Sequence, residues 1–120
     1  MSDKKPDKDW TLRIDHMLDF IERIERYVSG LDEQGFLSNQ LIVDAVARNL
    51  ETIGEASLHI PDDVKVPYPE IPWVEMRGLR IVLAHVYMGS DPTILWMTTQ
   101  ERIGPLKAEL LKLKHQERLP

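Results

Sequence analysis

The sequence predicts an all-α fold, a small bundle of four to five helices. Apolar residues recur at three- and four-residue steps through several long segments, the spacing of one helix face. No run alternates apolar with polar residues, and no Asn-Gly or Asp-Gly pair marks a hairpin. The chain has 120 residues, 42% hydrophobic and 29% charged. That suits one domain with a core of its own.

The opening Met1–Lys8 mixes charges of both signs and lacks an apolar anchor after Met1, so it is expected to be a disordered tail. The single domain then covers 9–120. A first helix is predicted from Asp9 to Val28 on Trp10, Ile14, Met17, Leu18, Ile21, Ile24 and Val28, stopped by Ser29-Gly30. Leu31–Leu37 reads as a connection. A second helix begins at Ser38 or Asn39, either able to cap, and ends before Pro61. Its stripe is Ile42, Val46, Leu50, Ile53, Ala56 and Ile60. Gly54 lies in its interior at a cost of roughly 1 kcal/mol against Ala, which either the close approach of another backbone or simple tolerance would explain.

Pro61 to Pro72 contains four prolines and three carboxylates and reads as an extended loop. A third helix starts near Pro72 and runs to about Met88. A fourth, carrying Ile94, Leu95 and Trp96, starts with Asp91 as cap and Pro92 in its first turn. Gly104-Pro105 punctuates, and a last helix follows on Leu106, Leu110 and Leu113.

Composition excludes several functions. There are no cysteines, so disulfides, Cys-ligated metal and thiol chemistry are absent. His16, His59, His85 and His115 are scattered, and no carboxylate cluster has metal-ligand spacing, so neither metal nor cofactor is expected. No stretch approaches the ~20 apolar residues of a membrane span, which makes cytoplasm the expected location. Fifteen basic residues against twenty acidic ones give a net charge of −5. A nucleic-acid role would therefore rest on a local basic site.

The third helix differs from the others. Met76, Leu79, Leu83 and Val86 form an inward stripe, yet Ile81, Val82 and Ala84 make the remaining faces apolar as well. A helix apolar nearly all round is buried on more than one side. In so small a bundle the second cover is expected to be another subunit, which gives a homodimer. Arg77, Arg80, His85 and Tyr87 sit among these apolar residues. Arg80 and Tyr87 share a face, whereas Arg80 and His85 lie about 140° apart on a straight helix. Their cooperation needs a distorted helix end or a site assembled from two copies.

An imidazole can exchange a proton near neutral pH, and a guanidinium can hold phosphate oxygens. The pair therefore suits metal-independent RNA transesterification, with His as acid/base and Arg stabilising charge on the phosphoryl oxygens. The plainer reading is an arginine paired with Glu51 or Glu55 and a histidine packed in the core. The spacing leaves both open.

The surrounding residues resemble the HepT-like (DUF86) branch of the HEPN toxins, from about Trp10 to the end of the chain. Ala47-Arg48-Asn49-Leu50-Glu51-Thr52-Ile53-Gly54-Glu55-Ala56 is close to the family's Arg-Asn-Leu-Glu-x-Ile-Gly-Glu-Ala. Pro72-Trp73 with Gly78 and Arg80 is similar to its Pro-Trp-x-x-Ile-x-Gly-x-Arg, with Met76 in place of Ile. His85-Val86-Tyr87 falls at its His-x-Tyr, and Asp91 to Trp96 resembles the block that follows.

The resemblance implies a HEPN-like bundle that dimerises around its Arg-x4-6-His motifs. It also implies an RNase toxin, often acting on tRNA, of a toxin–antitoxin pair with a minimal nucleotidyltransferase as antitoxin. Arg80 and His85 become the catalytic candidates, and Tyr87 the candidate for AMPylation by that partner. Arg77, Glu51 and Glu55 become supporting residues. Arg48 and Asn49 read as structural, and Gly54 and Gly78 as contact points between the second and third helices. Ile81 departs from the family, which usually carries a polar residue, commonly Asn, after the motif arginine. An isoleucine one turn before His85 cannot orient the imidazole. The alternatives are a catalytically idle HEPN dimer that binds a nucleotidyltransferase or a nucleotide, and a purely structural helical dimer.

Overall fold

The computed structural model describes residues 9–79 and 92–119. The expected tail at 1–8, the third helix from Arg80 to Met88 and the Asp91 cap lie outside them. The described residues contain seven helices and no strand: α1 (Asp9–Val28), α2 (Glu33–Leu37), α3 (Gln40–Ser57), α4 (Asp62–Lys65), α5 (73–79 in its described part), α6 (Thr93–Glu101) and α7 (Ile103–Gln116).

The two long helices, α1 and α3, form the centre. Ile14, Met17, Ile21 and Ile24 on α1 are fully buried, and so are Val46 and Ile53 on α3. Each such side chain contributes roughly 1.5–3 kcal/mol by leaving water. Gly30 ends the first helix segment at φ +79, a left-handed conformation in which it carries no Cβ penalty. Asn39 supplies the α3 cap: its Oδ1 accepts from the Ile42 N–H at 3.2 Å. α7 closes the other side of α1 with buried Leu106, Leu110 and Leu113. Two ion pairs flank that seam, Lys107–Glu25 at 3.0 Å and Lys114–Asp15 at 2.8 Å. The hydrogen bond to Glu25 is the main cause that holds the Lys107 ammonium above the ordinary lysine range.

Three expectations need correction. Leu31–Leu37 is not merely a connection, because it folds into α2, capped by Asp32, whose Oδ1 accepts from the Gly35 N–H at 2.7 Å. That single turn buries Phe36 and stacks it at 5.4 Å on Trp96 of α6. The Pro61–Pro72 loop is not extended throughout, because Pro61 starts α4 and Asp62 and Asp63 favour its N-terminus. Gly104-Pro105 does not precede the last helix. Both lie in the first turn of α7, where the proline's missing N–H removes no intrahelical bond. No described helix is long and apolar enough to cross a membrane.

Candidate active site

The α3–α5 crossing positions the candidate residues. A Cβ built on Gly54 would sit 2.8 Å from the Met76 carbonyl oxygen, so the two backbones touch and only glycine fits. Met76 is buried, and its N–H donates to the Pro72 carbonyl at 3.0 Å, which fixes the first turn of α5. Trp73 braces the same turn by donating its Nε1–H to the Tyr68 carbonyl at 3.1 Å. Tyr68, buried, donates its hydroxyl to Glu117 Oε2 at 2.6 Å, which ties the approach to α5 to the end of α7. Burial, and secondarily this carboxylate, push the phenol up to about 12. Gly78, expected as a second contact point, has nothing within 4 Å of a built Cβ among the described residues.

Glu51 and Glu55 lie one turn apart on α3, beside Gly54, and both are half-buried. Glu51 is engaged within its own helix, accepting from Arg48 at 2.7 Å. Asn49 is buried and donates to the Ala45 carbonyl at 2.8 Å, a role internal to the helix. Arg77 is exposed on α5 and makes no ion pair among the described residues. Arg80, Ile81, His85 and Tyr87 lie outside the described residues. The structure therefore seats the start of α5 on α3 at Gly54, between Glu51 and Glu55 in the sequence of α3. Among the described residues no three His, Cys, Asp or Glu side chains group as a metal site.

A cavity of about 550 Å³ opens between α3, α5, α6 and α7. Its walls include Leu50, Ile53, Met76 and Leu79, while among the described residues Glu70, Glu75, Glu101 and Glu109 also line it, with Arg102 as the one basic residue. Those described carboxylates contribute a negative potential to the cavity. Sequence periodicity did not reveal this cavity, because it depends on how four helices meet.

These features define the class: a small all-helical protein in which a glycine-notched helix seats a second helix at its centre. The sequence profile described as Ribonuclease HepT-like matches residues 17–113. A protein of Thermococcus cleftensis named "Probable ribonuclease HepT" is 40% identical over 111 residues, covering 92% of this chain and 98% of that one. A Methanocaldococcus jannaschii protein provisionally named as an RNase is 37% identical over 94 residues, 78% of this chain and 86% of the relative. Another from that organism, whose name joins gamma-glutamylcyclotransferase to a provisional RNase, is 35% identical over 109 residues. That match spans 91% of this chain but 49% of the longer protein. No solved structure matches at comparable significance. The chain belongs to the ribonuclease HepT-like family.

Proposed function

We propose that the protein is a metal-independent endoribonuclease, the toxin of a toxin–antitoxin pair, with tRNA as its substrate. The family match over 17–113 carries this reading, because it spans both Arg80 and His85. The names of the relatives support the same activity.

His85 takes the proton from a ribose 2′-OH as the 2′-oxygen attacks the adjacent phosphorus. Arg80 stabilises charge on the non-bridging oxygens, and the departing 5′-oxygen receives a proton from the second His85 of a homodimer. Glu51 and Glu55 support the arginines from α3, and Arg77 adds positive charge. The partner is a minimal nucleotidyltransferase that silences the toxin by attaching AMP to Tyr87. Tyr87 follows Arg80 by seven residues, the sequence spacing of one helical face, and on that spacing a nucleotide there blocks the phosphate position.

Incubation of the chain with total tRNA in EDTA, beside His85→Ala, tests the activity. Cleavage by the wild type that disappears in the variant supports the reading. Intact tRNA in both lanes refutes it and favours an idle HEPN dimer that binds its partner, the reading to which Ile81 points. Intact mass after co-expression with the transferase tests Tyr87, with a gain of one AMP expected.

A further inference from the structure

The chain carries a net charge of −5, so RNA needs a local landing surface. The described walls of the cavity beside α5 are rich in carboxylates. On α7, Lys107 and Lys114 pair across the seam with Glu25 and Asp15. Arg48 pairs with Glu51 and, among the described residues, stands over no aromatic ring.

The second face of α1 is different. Arg13, His16, Phe20, Arg23 and Tyr27 recur at alternating steps of three and four. At about 100° per residue they fall within an arc of about 80°, away from the flank that pairs with α7. The Arg23 guanidinium carbon lies 5.5 Å over the Phe20 ring. The His16 ring stands 6.5 Å from Phe20 at an interplanar angle of 49°. His16 and Arg23 are exposed, and Arg13, Phe20 and Tyr27 are half-buried. Asp19 pairs with Arg23 at 3.0 Å, but both side chains are about half exposed, at 53% and 46%. An exposed pair of this kind is weak and gives way readily to a phosphate. Arg13 makes no ion pair among the described residues.

We infer that this face of α1 binds single-stranded RNA, with bases stacking on Phe20 and His16 and phosphates held by Arg13 and Arg23. The choice of RNA rests on the ribonuclease reading above; the choice of a single strand rests on the aromatic faces. Ring and guanidinium planes accept any unpaired base, whereas a duplex hides its bases in its own stack. Interleaved aromatic and basic residues are the chemistry of such a platform, and they give it little sequence preference. The surface thus selects loops and unpaired ends.

Fluorescence anisotropy tests it with a fluorescein-labelled decauridylate and a labelled blunt RNA duplex. The full chain carries His85→Ala in EDTA, so that the probe stays intact. The single strand is expected to bind more tightly than the duplex. His16→Ala and Phe20→Leu should each weaken single-strand binding about five- to tenfold, as the loss of one stacked base requires. Leucine preserves the apolar contact of Phe20 with the core but has no ring face, and the exposed His16 can be truncated without unfolding. Arg13→Gln and Arg23→Gln should each lower the salt slope by about 0.7. Equal binding of duplex and single strand, or unchanged binding by both ring variants, overturns the proposal. The two readings fail separately. tRNA cleavage without this binding pattern removes only the α1 surface; the pattern without cleavage removes only the catalytic reading.

Discussion

Gly54→Ala isolates the contact that seats α5 on α3. The added Cβ would lie 2.8 Å from the Met76 carbonyl oxygen, a backbone atom that cannot rotate away. The two helices must separate by several tenths of an ångström, and the move loosens Leu50, Ile53 and Met76, all at or below 3% exposure. Overpacking of this kind costs about 2–3 kcal/mol. Alanine returns about 1 kcal/mol of helix propensity, leaving a net destabilisation of about 1.5 kcal/mol. For 120 residues the unfolding entropy is roughly 250 cal/mol/K, so Tm should fall by about 6 °C. Calorimetry measures it directly. Gly78→Ala is the control, since its Cβ meets nothing within 4 Å among the described residues and should raise Tm by a few degrees through propensity. A Tm for Gly54→Ala equal to or above the wild type would refute the close crossing and, with it, the positioning of α5.

Asn39→Ala should cost about 1 kcal/mol by urea unfolding, and Asn39→Gly only a few tenths, because the Oδ1 cap to Ile42 is lost in both while glycine retains the cap backbone. Tyr68→Phe should cost about 1 kcal/mol near neutrality through loss of the bond to Glu117. The folded phenol is raised from 10.0 to about 12, so the advantage of tyrosine is full below pH 10 and is lost as pH rises towards 12. Paired unfolding curves at pH 8 and pH 12 check the sign, and a constant difference would contradict it. Ile81→Asn should raise tRNA cleavage about tenfold if imidazole orientation limits the rate; an unchanged rate would free Ile81 from blame.

The core of α1 was legible because its stripe repeats over five turns, and Ile14, Met17, Ile21 and Ile24 are all fully buried. The reason for Gly54 was legible in kind, since an interior glycine carries a cost that a backbone contact explains. Its partner atom, Met76 O, was not, because no periodicity specifies which turn of α5 arrives there. α2 escaped detection for a related reason. Five residues cannot display a helical period, although Asp32 as cap and Phe36 as anchor were both present in the sequence. Pro61 marked a break, which α3 respects by ending at Ser57, and it also starts α4, because the same locked φ serves both. At the candidate site, the family motif marked Glu51 and Glu55 beside Gly54. It did not reveal that Arg48 already engages Glu51. Arg80, His85 and Tyr87 rest on the sequence alone.

The charges on α1 reconcile an acidic protein with the proposed RNA surface. One flank of the helix carries Asp15 and Glu25, and α7 covers it with Lys114 and Lys107. Those pairs join two helices, and they also cancel carboxylates that would otherwise stand about one helix diameter from Arg13 and Arg23. That distance is close to the screening length at physiological salt, so unpaired acids there would weaken the field at the opposite flank. The partition follows from the fold rather than from composition. Six of the twenty acids are placed in this way, Asp15 and Glu25 across the α1–α7 seam and Glu70, Glu75, Glu101 and Glu109 around the cavity, while Asp19 stays beside Arg23. A net charge of −5 therefore describes the whole chain but not the face of α1 on which His16, Phe20 and Arg23 meet.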